Sequence, residues 1–326
     1  MAKQGRIFAV IFLALLIPVL LKAPESEAKV YRGKCKSNLT WSYDSKTKTM
    51  VIDCKGDMPD DEQFYDLDMG WRKYYFKTKK VILKKGISSI GAGAFYNFQK
   101  LEEVVLPEGL RIIKYDAFDG CRKLQFINKP STLEVIEKDV FWDVKIKSIS
   151  LKNLKKLGSE CFSGAKLQSV DIPAKCKIED SVFWSCKKLK KVTFEKGVKR
   201  ISYGMFRETG IKNIDIPGSV TQIGTYAFAN CQSLKKAIIN EGVKKISKDA
   251  FSNTALKEIT IPSTVTKLGK NAFRWESTEK SSLKKVVIRS KNIKKWGTMV
   301  FGATRDDLVI YVPKSKKAEY EKILRS

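Results

Sequence analysis

One phenylalanine recurs through this chain at a nearly fixed interval. Phe95, Phe118, Phe141, Phe162, Phe183, Phe206, Phe228, Phe251, Phe273 and Phe301 follow one another at steps of 21 to 28 residues. The residue before each is apolar: Ala94, Ala117, Val140, Cys161, Val182, Met205, Ala227, Ala250, Ala272 and Val300. Five residues before each stands Ile90, Ile113, Ile136, Leu157, Ile178, Ile201, Ile223, Ile246, Leu268 or Trp296, again apolar. Units this small cannot bury an apolar face alone, so neighbours must stack into a solenoid.

Every unit also carries a short alternating run, as in Val104-Val105-Leu106, Val192-Thr193-Phe194, Ile214-Asp215-Ile216 and Ile259-Thr260-Ile261. Successive strand residues face opposite ways, so the outer two point inward and the middle one outward. Pro107, Pro130, Pro173, Pro217 and Pro262, or Glu241-Gly242, then end the strand. One unit is a strand, a turn, an apolar return leg and a bend that carries the Phe. With strands about 4.8 Å apart, eleven of them make a rod on the order of 50 Å long.

The segment Ile216-Pro-Gly-Ser-Val220-Thr-Gln-Ile223-Gly224-Thr-Tyr-Ala227-Phe228-Ala-Asn-Cys231-Gln-Ser-Leu234 resembles the repeat of BspA-like leucine-rich-repeat proteins of bacterial surfaces. The resemblance spans Val81 to Val312. The Gly position of that pattern is kept at Gly91, Gly158, Gly224, Gly269 and Gly297 only. The units ending at Phe162 and Phe183 are short, and Trp275 to Ser281 are inserted before the last full strand. The resemblance implies a surface-exposed scaffold that binds host or neighbouring-cell macromolecules, and the family has no shared catalytic residues to carry over. The expected fold is a right-handed leucine-rich-repeat solenoid of about ten repeats over residues 77–312.

Both ends need covers. Leu39 to Tyr43 and Thr49 to Ile52 read as a β-hairpin within a cap spanning residues 29–76, similar to the hairpin that precedes the repeats in many such proteins. Residues 313–326 read as a capping helix with Tyr320, Ile323 and Leu324 on one face. Residues 1–28 read as a signal peptide: Lys3 and Arg6, then an apolar run from Ile7 to Leu21, then Ser26-Glu27-Ala28 before the cut. The rival reading is a retained membrane anchor, but the run is shorter than the about 20 apolar residues that a membrane helix wants and contains Pro18, and no second long apolar run follows. The expected location is extracellular, with surface retention open.

Composition removes several chemistries. There is no histidine, so Ser-His-Asp and Cys-His nucleophile pairs are absent. The seven cysteines include no C-x-x-C pair, so no metal site is expected, and no cofactor either. Their odd number leaves at least one thiol unpaired. Cys35 and Cys54 share the hairpin region and are candidates to pair, although not opposite in the simplest register. Cys121, Cys186 and Cys231 each follow the repeat Phe by three residues and read as small buried side chains. Asp60-Asp61-Glu62, Asp66 and Asp68 read as a solvated acidic loop. Trp142, Trp184 and Trp275 sit beside the bend, where packing is commoner than sugar stacking.

The net charge is +28, and Lys dominates it. Lys is a point charge, so the excess favours diffuse attraction to polyanions over bidentate recognition. The expected partners are an extracellular protein or an anionic polymer. Nucleic acid is disfavoured for an exported chain, and the oligomeric state is open. The candidate binding surface is the outward strand face: Ser148, Ser150, Ser169, Asp171, Lys191, Thr193, Asn213, Asp215, Lys236, Glu258 and Thr260. Beside it runs a basic edge of Lys187, Lys188, Lys190, Lys235, Lys284 and Lys285. The rival reading is a carbohydrate-active enzyme, and Asp171 and Asp215 are its only paired carboxylates.

Overall fold

The computed structural model describes residues 28–35, 38–61, 69–275, 282–302 and 307–325. All of the expected signal peptide but Ala28 lies outside them, as does the insertion beyond Trp275. The chain coils into a β-solenoid of about ten turns. Each regular turn contributes to three inter-repeat hydrogen-bond ladders.

The first ladder carries the alternating runs. The strands Lys80–Leu83, Glu103–Val105 and Phe126–Ile127 pair in parallel. Further along, Ser169–Ile172 pairs with Lys191–Phe194, and Asn213–Ile216 with Lys236–Ile239. Glu258–Ile261, Lys285–Ile288 and Val309–Tyr311 form the last group. Burial alternates as the pattern requires: in Asn213–Ile216, Ile214 and Ile216 are buried while Asn213 and Asp215 are exposed.

One unit departs from expectation. Residues 144–150 form no strand, so Ser148 and Ser150 are exposed but lie on no strand face. Phe141 and Phe162 are only 21 residues apart. The inter-repeat bonds change offset there: Lys145 N–H to Leu124 O, Lys166 N–H to Val144 O, and Gln168 N–H to Lys147 O. The shortened unit cannot hold a constant register, and the face is interrupted.

The apolar return leg is itself a second parallel sheet. Its strands run from Gly56–Asp57 through Ile87–Ile90, Ile112–Ile113, Val135–Ile136 and Lys156–Leu157 to Lys177–Ile178. A five-stranded continuation holds Arg200–Ile201, Gln222–Ile223, Lys245–Ile246, Lys267–Leu268 and Lys295–Trp296. The apolar column five residues before the Phe supplies its inward side chains, with Ile113, Ile136, Leu157, Ile201, Ile223 and Ile246 fully buried. Where that strand ends, glycine lets turns approach. A Cβ on Gly224 would stand 2.6 Å from Ser202 O and 2.7 Å from Ile201 O.

The third ladder follows the bend. Tyr226, Phe228 and Asn230 donate their N–H groups to Lys248, Ala250 and Ser252 at 2.8–3.1 Å, and equivalent bonds recur along the stack. The residue two before every repeat Phe is left-handed, from Gly93 and Asp116 to Asn271 and Met299, with φ of 52–61°. The residue two after it is left-handed in the first eight units, from Asn97 to Asn253. In those eight units two reversals flank each inward Phe ring. The rings stack on one another for the whole length, with centroids 5.1 to 6.0 Å apart.

The ends are closed by aromatic anchors. The hairpin exists, as strands β2 (Leu39–Asp44) and β3 (Thr49–Cys54), with a further antiparallel strand β1 (Val30–Cys35) outside it. β3 then pairs in parallel with Lys80–Leu83, which joins the cap to the first face. Tyr43 stacks on Tyr74 at 4.2 Å, and the buried Trp71 donates its indole N–H to Ala94 O at 3.1 Å. At the other end helix α1 (Lys317–Arg325) inserts Tyr320. Its ring is fully buried; its hydroxyl donates to Ser290 O and accepts from Ile293 N–H, both at 3.2 Å.

Candidate binding surfaces

The first face places the expected residues in rows. Ser169 stands beside Lys191 and Asp171 beside Thr193. Asn213 stands beside Lys236, and Asp215 beside Ile238. Glu258 stands beside Lys285, and Thr260 beside Val287. Thr260 is half-buried and the other candidates on these strands are exposed. The face changes character along its length. Its middle is small and polar, while Ile238 and Tyr311 bring exposed apolar surface to its C-terminal part.

The two carboxylates of the rival enzyme reading each accept a local hydrogen bond. Thr193 Oγ1 donates to Asp171 Oδ1, and Asn240 Nδ2 donates to Asp215 Oδ1 at 2.6 Å. The strand Lys191–Phe194 lies between the two acids, which puts them roughly 10 Å apart, beyond the usual separation of a glycosidase pair.

The basic residues before the strands line up along one edge of the face. Lys187, Lys188, Lys190, Lys235, Lys284 and Lys285 are all exposed. Lys190, Lys212, Lys235, Lys257 and Lys284 occupy the same position in five successive turns. Lys235 N–H donates to Lys212 O, and Lys284 N–H to Lys257 O, both at 2.8 Å.

The acidic run is not a solvated loop at its start. Asp61 is buried and pairs with Arg72 Nε at 3.2 Å, and Arg72 also donates to Tyr96 O at 2.8 Å. Asp60 accepts from Lys114 Nζ at 2.9 Å and from Ala92 N–H at 2.9 Å. These two residues clasp the cap to the first repeats. Glu62, Asp66 and Asp68 lie outside the described residues. Cys35 and Cys54 flank Leu39 from the two strands on either side of it. With a strand between them they exceed the Cα separation a disulfide spans, about 7 Å at most.

Trp184 is half-buried beneath the Arg207 guanidinium, which lies 5.6 Å from its ring, and Trp275 is half-buried. Trp142 alone of the three is exposed, at 45%. It borders a cluster that the sequence did not suggest: Asp116, Asp119, Asp139 and Glu160. Burial, then the neighbouring Asp116 and Asp139, push Asp119 up to about 7. Burial raises Asp116 and Glu160 as well, with Asp139 adding to both. The signal was available, since three of these acids fall in the left-handed column before the Phe. Among the described residues no group of three or more potential ligands is placed to hold a metal ion.

Comparison with known proteins agrees with this architecture. The family model for the BspA-type leucine-rich repeat region matches six copies, over residues 73–187 and 155–280. A leucine-rich repeat protein from Eubacterium ventriosum superposes with a TM-score of 0.61 at 20% identity, covering 81% of this chain and 73% of that one. Another, from Bacteroides ovatus, gives 0.59 at 24% identity, covering 78% and 70%. No curated protein sequence matches the chain. Six matched repeat copies, the stacked Phe column and the solenoid itself agree: the chain belongs to the BspA-type leucine-rich repeat family, a family of interaction scaffolds.

Proposed function

We propose that the protein is exported and uses its first strand face to bind an extended extracellular macromolecule, either a protein or an anionic polymer. The observation that carries this reading is the alignment of outward side chains from Ser169 to Thr260. Four of the five turns add a polar pair to the same surface, with Ile238 the apolar exception, and the lysine edge flanks it. A surface of that kind suits a ligand that runs along it, because successive repeats contribute hydrogen-bonding groups at the same spacing. Family membership and the basic, apolar and small-residue order of residues 1–28 support export. The same local bonds that occupy Asp171 and Asp215 argue against a catalytic role.

Arrays of glycans, cell-wall polymers and matrix proteins test the reading, probed with residues 29–326. We expect capture that falls when Thr193→Glu and Asn213→Glu obstruct the face. Capture unchanged by both would remove the face from consideration. A hydrolysis screen on the captured polymer tests the rival reading, with no cleavage expected. N-terminal sequencing of exported protein should begin at Lys29; Met1 on membrane-bound material would contradict export by cleavage.

A further inference from the structure

The second sheet treats its basic residues differently in its two halves. In the N-terminal half they are neutralised. Glu134 pairs with Arg111 at 3.2 Å and with Lys155 at 3.0 Å. Glu179 pairs with Lys156 at 3.2 Å and with Lys177 at 3.7 Å. From Arg200 onward the carboxylates leave these columns while the cations stay. The register sets Arg200 beside Gln222, Gln222 beside Lys245, Lys245 beside Lys267, and Lys267 beside Lys295. The preceding column reads Lys199, Thr221, Lys244, Thr266 and Lys294, and from Thr221 onward each N–H is bonded at 2.9 Å to the carbonyl of the column residue one turn earlier.

Seven cations therefore occupy two adjacent columns of one five-stranded sheet, and among the described residues none of them forms an ion pair. The acids nearest in sequence are turned elsewhere. Glu195 accepts from Ala174 N–H at 3.0 Å, and Glu241 accepts from the N–H groups of Ser263 at 3.0 Å and Thr264 at 3.2 Å. The first face differs, because Asp171, Asp215 and Glu258 are interleaved with its lysines.

We infer that this C-terminal half of the second sheet binds a linear polyanion lying along the solenoid axis, across the strands. Neighbouring rows stand about 4.8 Å apart, closer than the Debye length of about 8 Å at physiological salt, so their like charges repel. A chain of phosphate or sulfate groups relieves that repulsion and releases condensed counterions on binding. Six of the seven cations are Lys, so the surface reads charge density more than planar geometry. Five strands span roughly 19 Å, which sets the length of polymer that the sheet can engage. The inference concerns a different face of the coil from the one under Proposed function and does not depend on it.

The test is fluorescence anisotropy with labelled heparin oligosaccharides and inorganic polyphosphates of increasing length, at about 50 and 200 mM salt. Lys245→Gln, Lys267→Gln and Lys295→Gln are combined in one variant. Lys34→Gln, Lys46→Gln and Lys100→Gln, exposed and outside both candidate faces, form a control of equal charge. We expect the first variant to lose at least tenfold in affinity and to flatten the salt dependence, by roughly one unit of slope per lost contact. The control should change less than threefold. Affinity should climb with length and level off near 20 Å. Tighter binding of polyphosphate would name a phosphate chain as the source, and tighter binding of heparin a sulfated glycan. Equal loss in both variants would reduce the effect to net charge and overturn the inference, as would no binding of either polymer. Lysine acetylation of the unmodified protein serves if a variant misfolds: Lys245, Lys267 and Lys295 must be protected by polymer more than Lys34, Lys46 and Lys100. Uniform protection overturns the inference.

Discussion

The Cys231 thiol donates to the backbone carbonyl of Phe206, one repeat earlier, across 3.0 Å. Cys186 makes the same bond to Phe162 at 3.0 Å, and Cys121 to Phe95 at 3.2 Å. A cysteine three residues after the repeat Phe is thus a small inward donor to a bend carbonyl in the turn beneath, as its column position suggests. Burial pushes the Cys231 thiol up to about 11 and the Cys186 thiol up to about 12. Cys121 and Cys161 are raised as well, again by burial.

These thiols should therefore be inert in the folded protein. The thiolate is the reactive form, and burial both suppresses it and blocks reagent. Maleimide labelling followed by peptide mapping should leave Cys121, Cys161, Cys186 and Cys231 unmodified until denaturant is added. Rapid native labelling of any of the four would mean that the bend opens far more readily than its ladder implies.

The Phe column should dominate stability. Phe228 is fully buried and stacks between Phe206 and Phe251, at 5.4 and 5.1 Å. Phe228→Ala should cost about 3 to 5 kcal/mol in denaturant unfolding. Thr260→Ala, on the outward face, should fall within about 0.5 kcal/mol of the parent. Equal costs would mean that the inward and outward faces are exchanged.

Gly224→Ala should destabilise by about 1 to 3 kcal/mol, because the new Cβ meets backbone oxygens that cannot rotate away. Thermal unfolding of the variant decides it. No change would mean that the turns are spaced more loosely here.

Asp119 gives a pH dependence of known sign. Its folded value, about 7, lies above the ordinary 3.8, so the native state holds this proton where the unfolded chain has released it. The contribution is favourable below about pH 4 and is lost as pH rises towards 7. Asp119→Asn should remove that decline, so the variant should gain stability over the parent most clearly above pH 7. Parallel stability curves for the two proteins across pH 4 to 8 would show that the proton is not held.

The repeat, the solenoid and the buried columns were legible because apolar periodicity at one register reports burial directly. Other features were hidden for definite physical reasons. β1 is mostly exposed, so Val30–Cys35 offers no apolar alternation to read. Ser148 and Ser150 follow the strand pattern in composition, but the shortened turn denies them the register. Asp61 and Arg72 are buried partners that belong to different segments, and nothing local in either reveals the other. The left-handed columns were readable in principle, since Asn, Asp and Gly recur there, but Tyr226, Glu160 and Met299 in the same columns blur the signal. The division of the second sheet into a neutralised half and a bare half needs the stacked turns, which alone bring Glu179 within 3.2 Å of Lys156.

Hydroxyl-radical footprinting in the presence of a captured ligand tests the central claim most directly, because each face carries its own exposed reporters. Phe126, Ile238 and Tyr311 report on the first strand face, and Tyr115, Trp142 and Tyr203 on the bend. Binding along the strand face predicts that ligand slows oxidation of Ile238 and Tyr311, with Phe126 joining them for longer ligands, while Tyr115, Trp142 and Tyr203 oxidise at the free rate. Protection confined to the bend residues would contradict the account.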